Sequence, residues 1–358
     1  MEKEYTRRLE KIEAVLDTWL PESPNPVWLE RVFGPFSPDA SWVVAPELLA
    51  SLTRPGRDLL SRGGKRWRPL LMLLAAESVA GEAGAEAALP LTPLVEIPHN
   101  ASLIHDDIED NSDERRGKPA VHLLYGTDTA INSGSFMYFL PLACLSAWEA
   151  DAALKDRIWT IWASHIRAVH LGQAMDIAWH RDFHALPGLD EYDRMCRLKT
   201  GCLARLAAVL GVYIGSKSDS HPLADIFGNA AEQLGVGFQI LDDVKNLDKG
   251  VPGKKRGDDI VEGKKSLPVL LYLHRYPEKH NFAARCFAAA RSKGVEASEL
   301  EEFIGALQGA GVLEEAREKG LEYIRESRKV FSAPEAAGLP LRKEACSLLS
   351  GLVDLLGE

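Results

Sequence analysis

The chain has 358 residues, 46% of them hydrophobic, and its 42 basic and 52 acidic side chains leave a formal net charge of −10. That length builds one large core or two modest ones. The acidic balance argues against sequence-independent binding to nucleic acid or to an anionic membrane surface, both of which draw on a basic excess.

The first twenty residues mix both charge signs without an uninterrupted apolar stretch, so they do not read as a secretory signal. Ile12, Val15, Leu16 and Trp19 fall on one face of a helix. Residues 21–46 carry six prolines and little charge, which predicts an ordered loop tying that helix to the body. The expected division is therefore 1–46, helix plus proline-rich loop, and 47–358, the main domain.

Beyond residue 47, apolar-periodic segments alternate with short breaks and β-branched alternation is scarce, the pattern of an all-α fold. The periodicity predicts helices over 66–81, 90–110, 127–150, 154–181, 189–216, 221–248, 266–275, 279–291, 297–310, 312–330 and 340–356. Pro98 either kinks the second of these or marks its true start. Apolar runs such as 69–81 stop short of the ~20 residues a membrane-spanning helix needs, so no transmembrane segment is expected. The cysteines, Cys144, Cys196, Cys202, Cys286 and Cys346, are scattered and lack a CxxC pair, which fits reduced core thiols in a cytoplasmic protein.

Two acidic clusters close apolar helical runs: DDIED at 106–110 and DDVKN at 242–246. Asp106 and Asp110 are four apart and project from one helix face, and Gln239 lies one turn before Asp243. A single such cluster is as well read as a solvated helix end. Here each is followed by a basic stretch, RRGK after the first and KKRGDDIVEGKK after the second, so carboxylates and cations are gathered for an anionic ligand. A carboxylate at ~4 Å from a phosphate oxygen is repelled by about 4 kcal/mol at an effective dielectric of ~20. Divalent cations must bridge them, and Mg²⁺ suits one or two carboxylates plus substrate phosphates.

From Gly63 to Pro268 the chain resembles the trans-isoprenyl diphosphate synthases through GGKRWRP, HNASLIHDDIEDNSDERRGKP, GQAMD, KTG, GFQILDDVKN and GDDIVEGKKSLP, in that order. The stretch HNASLIHDDIEDNS and the final Asn246 look most like geranylgeranyl diphosphate synthases of the animal and fungal type. The resemblance implies a single large helical bundle of the isoprenoid synthase type around a central cavity, usually as a homodimer. It implies condensation of isopentenyl diphosphate with dimethylallyl, geranyl or farnesyl diphosphate and release of diphosphate.

Carried over residue by residue, the resemblance assigns Asp106, Asp110 and Asp242, supported by Asp107 and Asp243, to a set of three Mg²⁺ ions for which Mn²⁺ substitutes. Arg115, Lys199 and Lys264 match groups around the allylic diphosphate. Gly64, Lys65, Arg68, His99 and Arg116 match the pocket for isopentenyl diphosphate. Lys199, Thr200 and Gln239 match the neighbourhood of the allylic cation, and either Lys254 or Lys255 matches the lysine after the second cluster. Leu171 stands where an arginine is common. Gln173 and Asp176 read as supporting residues, Gly172 as much for close packing as for function, and His105 as a neighbour of the metal site, since hard Mg²⁺ prefers oxygen.

Ala101 lies five residues before Asp106, ~7.5 Å along a straight helix, and so borders a growing hydrocarbon. Small Ala101 and Ser102 point to a C20 product, with Tyr138, Phe139 and His170 matching bulky residues that close the pocket in yeast-type C20 enzymes. C15 and longer products are the alternatives. A class I terpene cyclase would lack the GKxxRP and RRG elements, and a non-catalytic partner subunit would have lost acidic residues from the clusters.

Overall fold

The computed structural model describes residues 2–34, 45–250, 255–333 and 335–357. The helices in chain order are α1 Glu2–Trp19, α2 Pro26–Phe33, α3 Pro46–Ser61, α4 Trp67–Ala80, α5 Glu82–Ala88, α6 Pro93–Glu109, α7 Val121–Tyr125, α8 Thr127–Phe139, α9 Pro141–Ala147 and α10 Ala152–Arg181. They continue with α11 Leu189–Cys196, α12 Cys202–Ser216, α13 Leu223–Asp248, α14 Asp258–Glu262, α15 Leu267–Arg275, α16 His280–Lys293, α17 Ser298–Gly309, α18 Val312–Phe331 and α19 Lys343–Gly357. Two antiparallel hairpins interrupt them: β1 Glu114–Arg115 with β2 Lys118–Pro119, and β3 Glu335–Ala336 with β4 Leu339–Pro340. Contacts divide the chain into two compact units.

The first unit comprises Met1–Ala163, Leu206–Phe227 and Pro334–Leu349. Its α1 is held by more than its apolar stripe. Arg8 is buried and donates to both carboxylate oxygens of Glu77, at 2.8 and 2.9 Å, and the Tyr5 hydroxyl donates to the Leu348 carbonyl at 2.6 Å.

The proline-rich stretch after it is not all loop. Asn25 caps α2 by accepting from the Trp28 amide at 2.9 Å, and Pro26 occupies the first turn, where its missing N–H costs nothing. Residues 35–44 of that predicted loop lie outside the described residues. α3 also forms where no helix was predicted, with Pro55 inside it.

Pro98 neither starts nor ends α6, which begins at Pro93. A proline there removes the N–H that would bond the Leu94 carbonyl. Trp162 Nε1 donates to that carbonyl instead, at 2.8 Å.

The second unit comprises Ser164–Arg205, Gly228–Ala333 and Ser350–Glu358. Its core stacks aromatics from α16 and α17, with Phe287 and Phe303 edge to face at 5.5 Å. The predicted helix over 189–216 is continuous in direction of chain but not in kind, because one turn of π-helix, Arg197–Gly201, separates α11 from α12. The predicted helix over 127–150 is likewise divided into α8 and α9.

Two stretches, Thr127–Ala147 and Leu189–Ser216, are long and apolar enough by composition to cross a membrane, which amends the expectation that every apolar run falls short. In the apolar window of each, 50% and 83% of the residues are buried inside the protein. All five cysteines are buried and none is bridged.

Candidate active site

In the first unit, α6 delivers the first acidic cluster at its C-terminal turn. Asp110 closes the helix, its amide bonded to the Asp106 carbonyl at 2.9 Å. Carboxylates placed there meet the negative end of the helix dipole, so the position favours cations. Arg115 already supplies one: its Nε donates to Asp107 Oδ1 at 2.7 Å and its Nη2 to Asp106 Oδ2 at 3.3 Å. Asp107 is fully buried beneath that guanidinium, whereas Asp106 retains some exposure.

The residues expected to bind isopentenyl diphosphate gather on the same unit. Arg68 lies over the Trp67 ring at 4.4 Å and its Nη1 meets His99 Nε2 at 3.4 Å, so the imidazole nitrogen accepts. Burial first, then Arg68 and three further arginines, hold His99 well below the ordinary histidine value, and it stays neutral. Arg116 donates from Nη1 to the Leu59 carbonyl at 3.0 Å and to Asn100 Oδ1 at 3.3 Å. Burial, then the charge of Arg66, pushes it down to about 10. Gly64 adopts φ +132°, and a Cβ there would come within 3.0 Å of the guanidinium nitrogens of Arg116 and Arg66. Lys65 is exposed beside them.

Arg66, which the sequence shows only as part of GGKRWRP, is buried in the left-handed region at φ 46°. It donates to Glu13 at 2.7 Å and to Glu96 at 3.1 Å, and Glu96 also accepts from Asn100 at 2.9 Å. A polar chain thus runs from partly exposed Glu13 through buried Arg66, Glu96 and Asn100 to Arg116. Glu96 and Asn100 stand about three and two turns before the Asp cluster, and only Asn100 falls within the HNASLIHDDIEDNS motif.

Of the residues expected to border the hydrocarbon, Ala101 is fully buried on α6, and Ser102 is half-buried with its hydroxyl donating to the His99 carbonyl at 2.7 Å. Tyr138 is buried and stacks on His105 at 5.6 Å. Burial, with Glu109 and Asp106 nearby, raises its phenol. Phe139 is 68% exposed, and His170, in the second unit, is exposed as well. His105 donates from Nδ1 to the Ala101 carbonyl at 3.1 Å, since a carbonyl only accepts.

In the second unit, the π-helical turn places Lys199 and Thr200 side by side. Lys199 Nζ pairs with Asp176, expected as a supporting residue, at 2.6 Å. The Thr200 hydroxyl donates to Gln239 Oε1 at 2.8 Å, leaving its oxygen lone pairs for positive charge. Gln239 in turn donates to Asp243 Oδ1 at 2.8 Å, and Tyr192 donates to Asp243 Oδ2 at 2.8 Å. Burial and the neighbouring Asp259 push Asp243 up to about 7 against those two bonds. Asp242, next to it, is half-buried.

Gly172 on α10 faces this turn, and a Cβ there would overlap the backbone of Leu198 and Lys199. Close helix packing is its function. Lys264 pairs with Glu262 at 2.5 Å and approaches Asp259 at 3.8 Å. Asn246 is buried, its amide oxygen accepting from the Asp259 N–H at 3.3 Å and its carbonyl from the Gly257 N–H at 3.1 Å, so the residue in place of a final Asp anchors the loop. Lys255 is exposed, and Lys254 lies outside the described residues. Tyr192, Asp259 and Glu262 had no distinguishing spacing in the sequence.

Among the described residues, no three His, Cys, Asp or Glu side chains form a group able to hold a metal by themselves. Asp106, Asp107 and Asp110 at the end of α6 offer hard oxygen donors of the kind Mg²⁺ takes, typically one or two carboxylates alongside substrate phosphates.

The polyprenyl synthetase family model matches residues 50–304. The chain belongs to the polyprenyl synthetase family. It is 34% identical over 264 residues to a short chain isoprenyl diphosphate synthase of Methanocaldococcus jannaschii, covering 72% of this chain and 76% of that one. It is also 34% identical over 279 residues to a geranylgeranyl pyrophosphate synthase of Geoglobus acetivorans, covering 78% and 83%. The crystal structure of a geranylgeranyl pyrophosphate synthetase from Pyrococcus horikoshii aligns with a TM-score of 0.81 at 26% identity, over 100% of this chain and 98% of that one. This polyprenyl synthetase therefore has the all-α isoprenoid synthase fold and is an isoprenyl diphosphate synthase, a magnesium-dependent prenyltransferase acting on isopentenyl and allylic diphosphates.

Proposed function

We propose that this enzyme makes geranylgeranyl diphosphate and that its two arginine sets bind two different diphosphates. The observation that carries the reading is the separation of these sets: Arg115 is bound to Asp106 and Asp107, whereas Arg68 and Arg116 surround His99 and Asn100. Fully buried Ala101 on the helix bearing the first cluster supports the C20 product.

Asp106, Asp110 and Asp242, supported by Asp107 and Asp243, would hold magnesium, three ions in this reading with manganese as a substitute, and the metal would supply positive charge to the departing diphosphate. Arg115, Lys199 and Lys264 bind the allylic diphosphate, and Gly64, Lys65, Arg68, His99 and Arg116 hold isopentenyl diphosphate, with Lys255 as the lysine after the second cluster. The allylic C–O bond breaks with its electron pair on diphosphate, and oxygens of Lys199, Thr200 and Gln239 stabilise the allylic cation without trapping it. The alkene of isopentenyl diphosphate forms the new C–C bond, and the released diphosphate takes the proton.

We also infer a cytoplasmic homodimer built around the domain 47–358. Leu123, Leu124, Ile131 and Phe139 of α7 and α8 are exposed, a set a second copy would cover. Phe139 and His170 limit the product in this reading only once such a copy covers them.

Mass spectrometry of products from isopentenyl diphosphate and each allylic starter tests the assignment, with geranylgeranyl diphosphate expected as the main product. Excess chelator should abolish turnover, and Mg²⁺ or Mn²⁺ should restore it, while circular dichroism shows the helices intact. Full turnover in chelator, or a dominant C15 or C25 product, would refute the corresponding part.

A further inference from the structure

The hairpin that carries Arg115 and Arg116 is only two residues per strand, paired Glu114 to Pro119 and Arg115 to Lys118. Arg116 and Gly117 form its turn with φ of 55° and 74°. Both central residues are left-handed, which suits a tight hairpin but penalises an arginine. So short a hairpin is not stable by itself. Something outside it must fix its shape.

That support comes from the end of α3. Arg62 has a side chain with no solvent exposure. Its Nη1 donates to the Arg115 carbonyl at 3.1 Å and to the Pro119 carbonyl at 2.9 Å, so one nitrogen ties the two strands at the neck of the hairpin. Its Nη2 and Nε donate to Asp58 at 2.8 and 3.4 Å, one turn earlier on α3, which neutralises the buried charge and aims the fork. The neighbouring Leu59 carbonyl accepts from Arg116 itself. A lysine has no planar fork with which to reach both carbonyls and the carboxylate.

We propose that Arg62, oriented by Asp58, is a positioning residue for both diphosphate pockets, acting through the Arg115–Arg116 hairpin. Being buried, it touches neither substrate. This inference rests on the assignment of Arg115 and Arg116 to substrate binding.

Steady-state kinetics of Arg62→Ala, Arg62→Lys and Asp58→Asn, each substrate varied in turn, test it. Losing the clasp should raise KM for both diphosphates by about tenfold in Arg62→Ala, the equivalent of one lost buried hydrogen-bonding group, and less in the other two. The kcat should stay within about twofold, because the groups at the reacting carbons are untouched. Tyr5→Phe, which removes a buried hydrogen bond of α1, should lower Tm without moving either KM. If Arg62→Ala does not fold, Arg62→Lys and Asp58→Asn decide the matter. Unchanged KM values in those variants, or a fall in kcat alone, would overturn the positioning role. Unchanged KM values in Arg115→Ala and Arg116→Ala would instead overturn the substrate assignment beneath it.

Discussion

His99 sits where burial and four arginines all oppose a positive charge, and its Nε2 accepts from Arg68. Its folded pKa therefore lies below the unfolded value near 6.5. Neutral His99 costs the fold nothing above that value, and stability declines as pH falls beneath it, because the unfolded chain takes up the proton first. Chemical denaturation of the wild type and His99→Gln between pH 8 and 5 should show a shallower decline in the variant. Equal slopes would mean that His99 titrates as an ordinary histidine. At Arg68 the expected consequence is substrate-specific. Arg68→Ala should raise KM for isopentenyl diphosphate by ~10–100-fold, the loss of a charge-assisted pair, with the allylic KM little changed. Equal losses for both substrates would contradict the separation of the pockets.

Among the elements, long periodic helices were legible and those interrupted by special chemistry were not. α3 has no counterpart among the predicted helices and holds Pro55 inside it, yet its last turn and C-cap carry Asp58, Leu59 and Arg62 to the hairpin. α2 was missed because clustered prolines suggest loop, whereas Asn25 and Pro26 together mark a helix start. The π-helical turn left no mark in apolar spacing, yet it sets Lys199 and Thr200 beside Asp176 and Gln239. Such turns recur at functional sites. Gly172→Ala presses a methyl into the backbone of that turn, and overpacking of this kind costs about 1–3 kcal/mol. Thermal melts should show the lost stability, and kcat at saturating substrates should fall as Lys199 shifts. A variant unchanged in both would show that the turn yields without consequence.

For the whole molecule the question is product length. Ala101 is buried on α6 before the acidic turn, so Ala101→Phe should shorten the main product, while Tyr138→Ala should lengthen it. Retained activity with an unchanged product distribution in Ala101→Phe would show that this helix face does not border the tail. The sequence by itself determined the all-α class, most helix positions, both acidic clusters and the family, because these depend on local periodicity and on motifs contiguous in the chain. Only the tertiary structure decided that Asp107 lies buried under Arg115, that both oxygens of Asp243 are engaged by Gln239 and Tyr192, and that Asn246 anchors a loop. It also decided that Trp162 satisfies the carbonyl orphaned by Pro98, and that a buried arginine at position 62 closes the hairpin. Those outcomes depend on hydrogen-bond partners distant in sequence, and burial makes each unmatched donor or acceptor costly enough to select them.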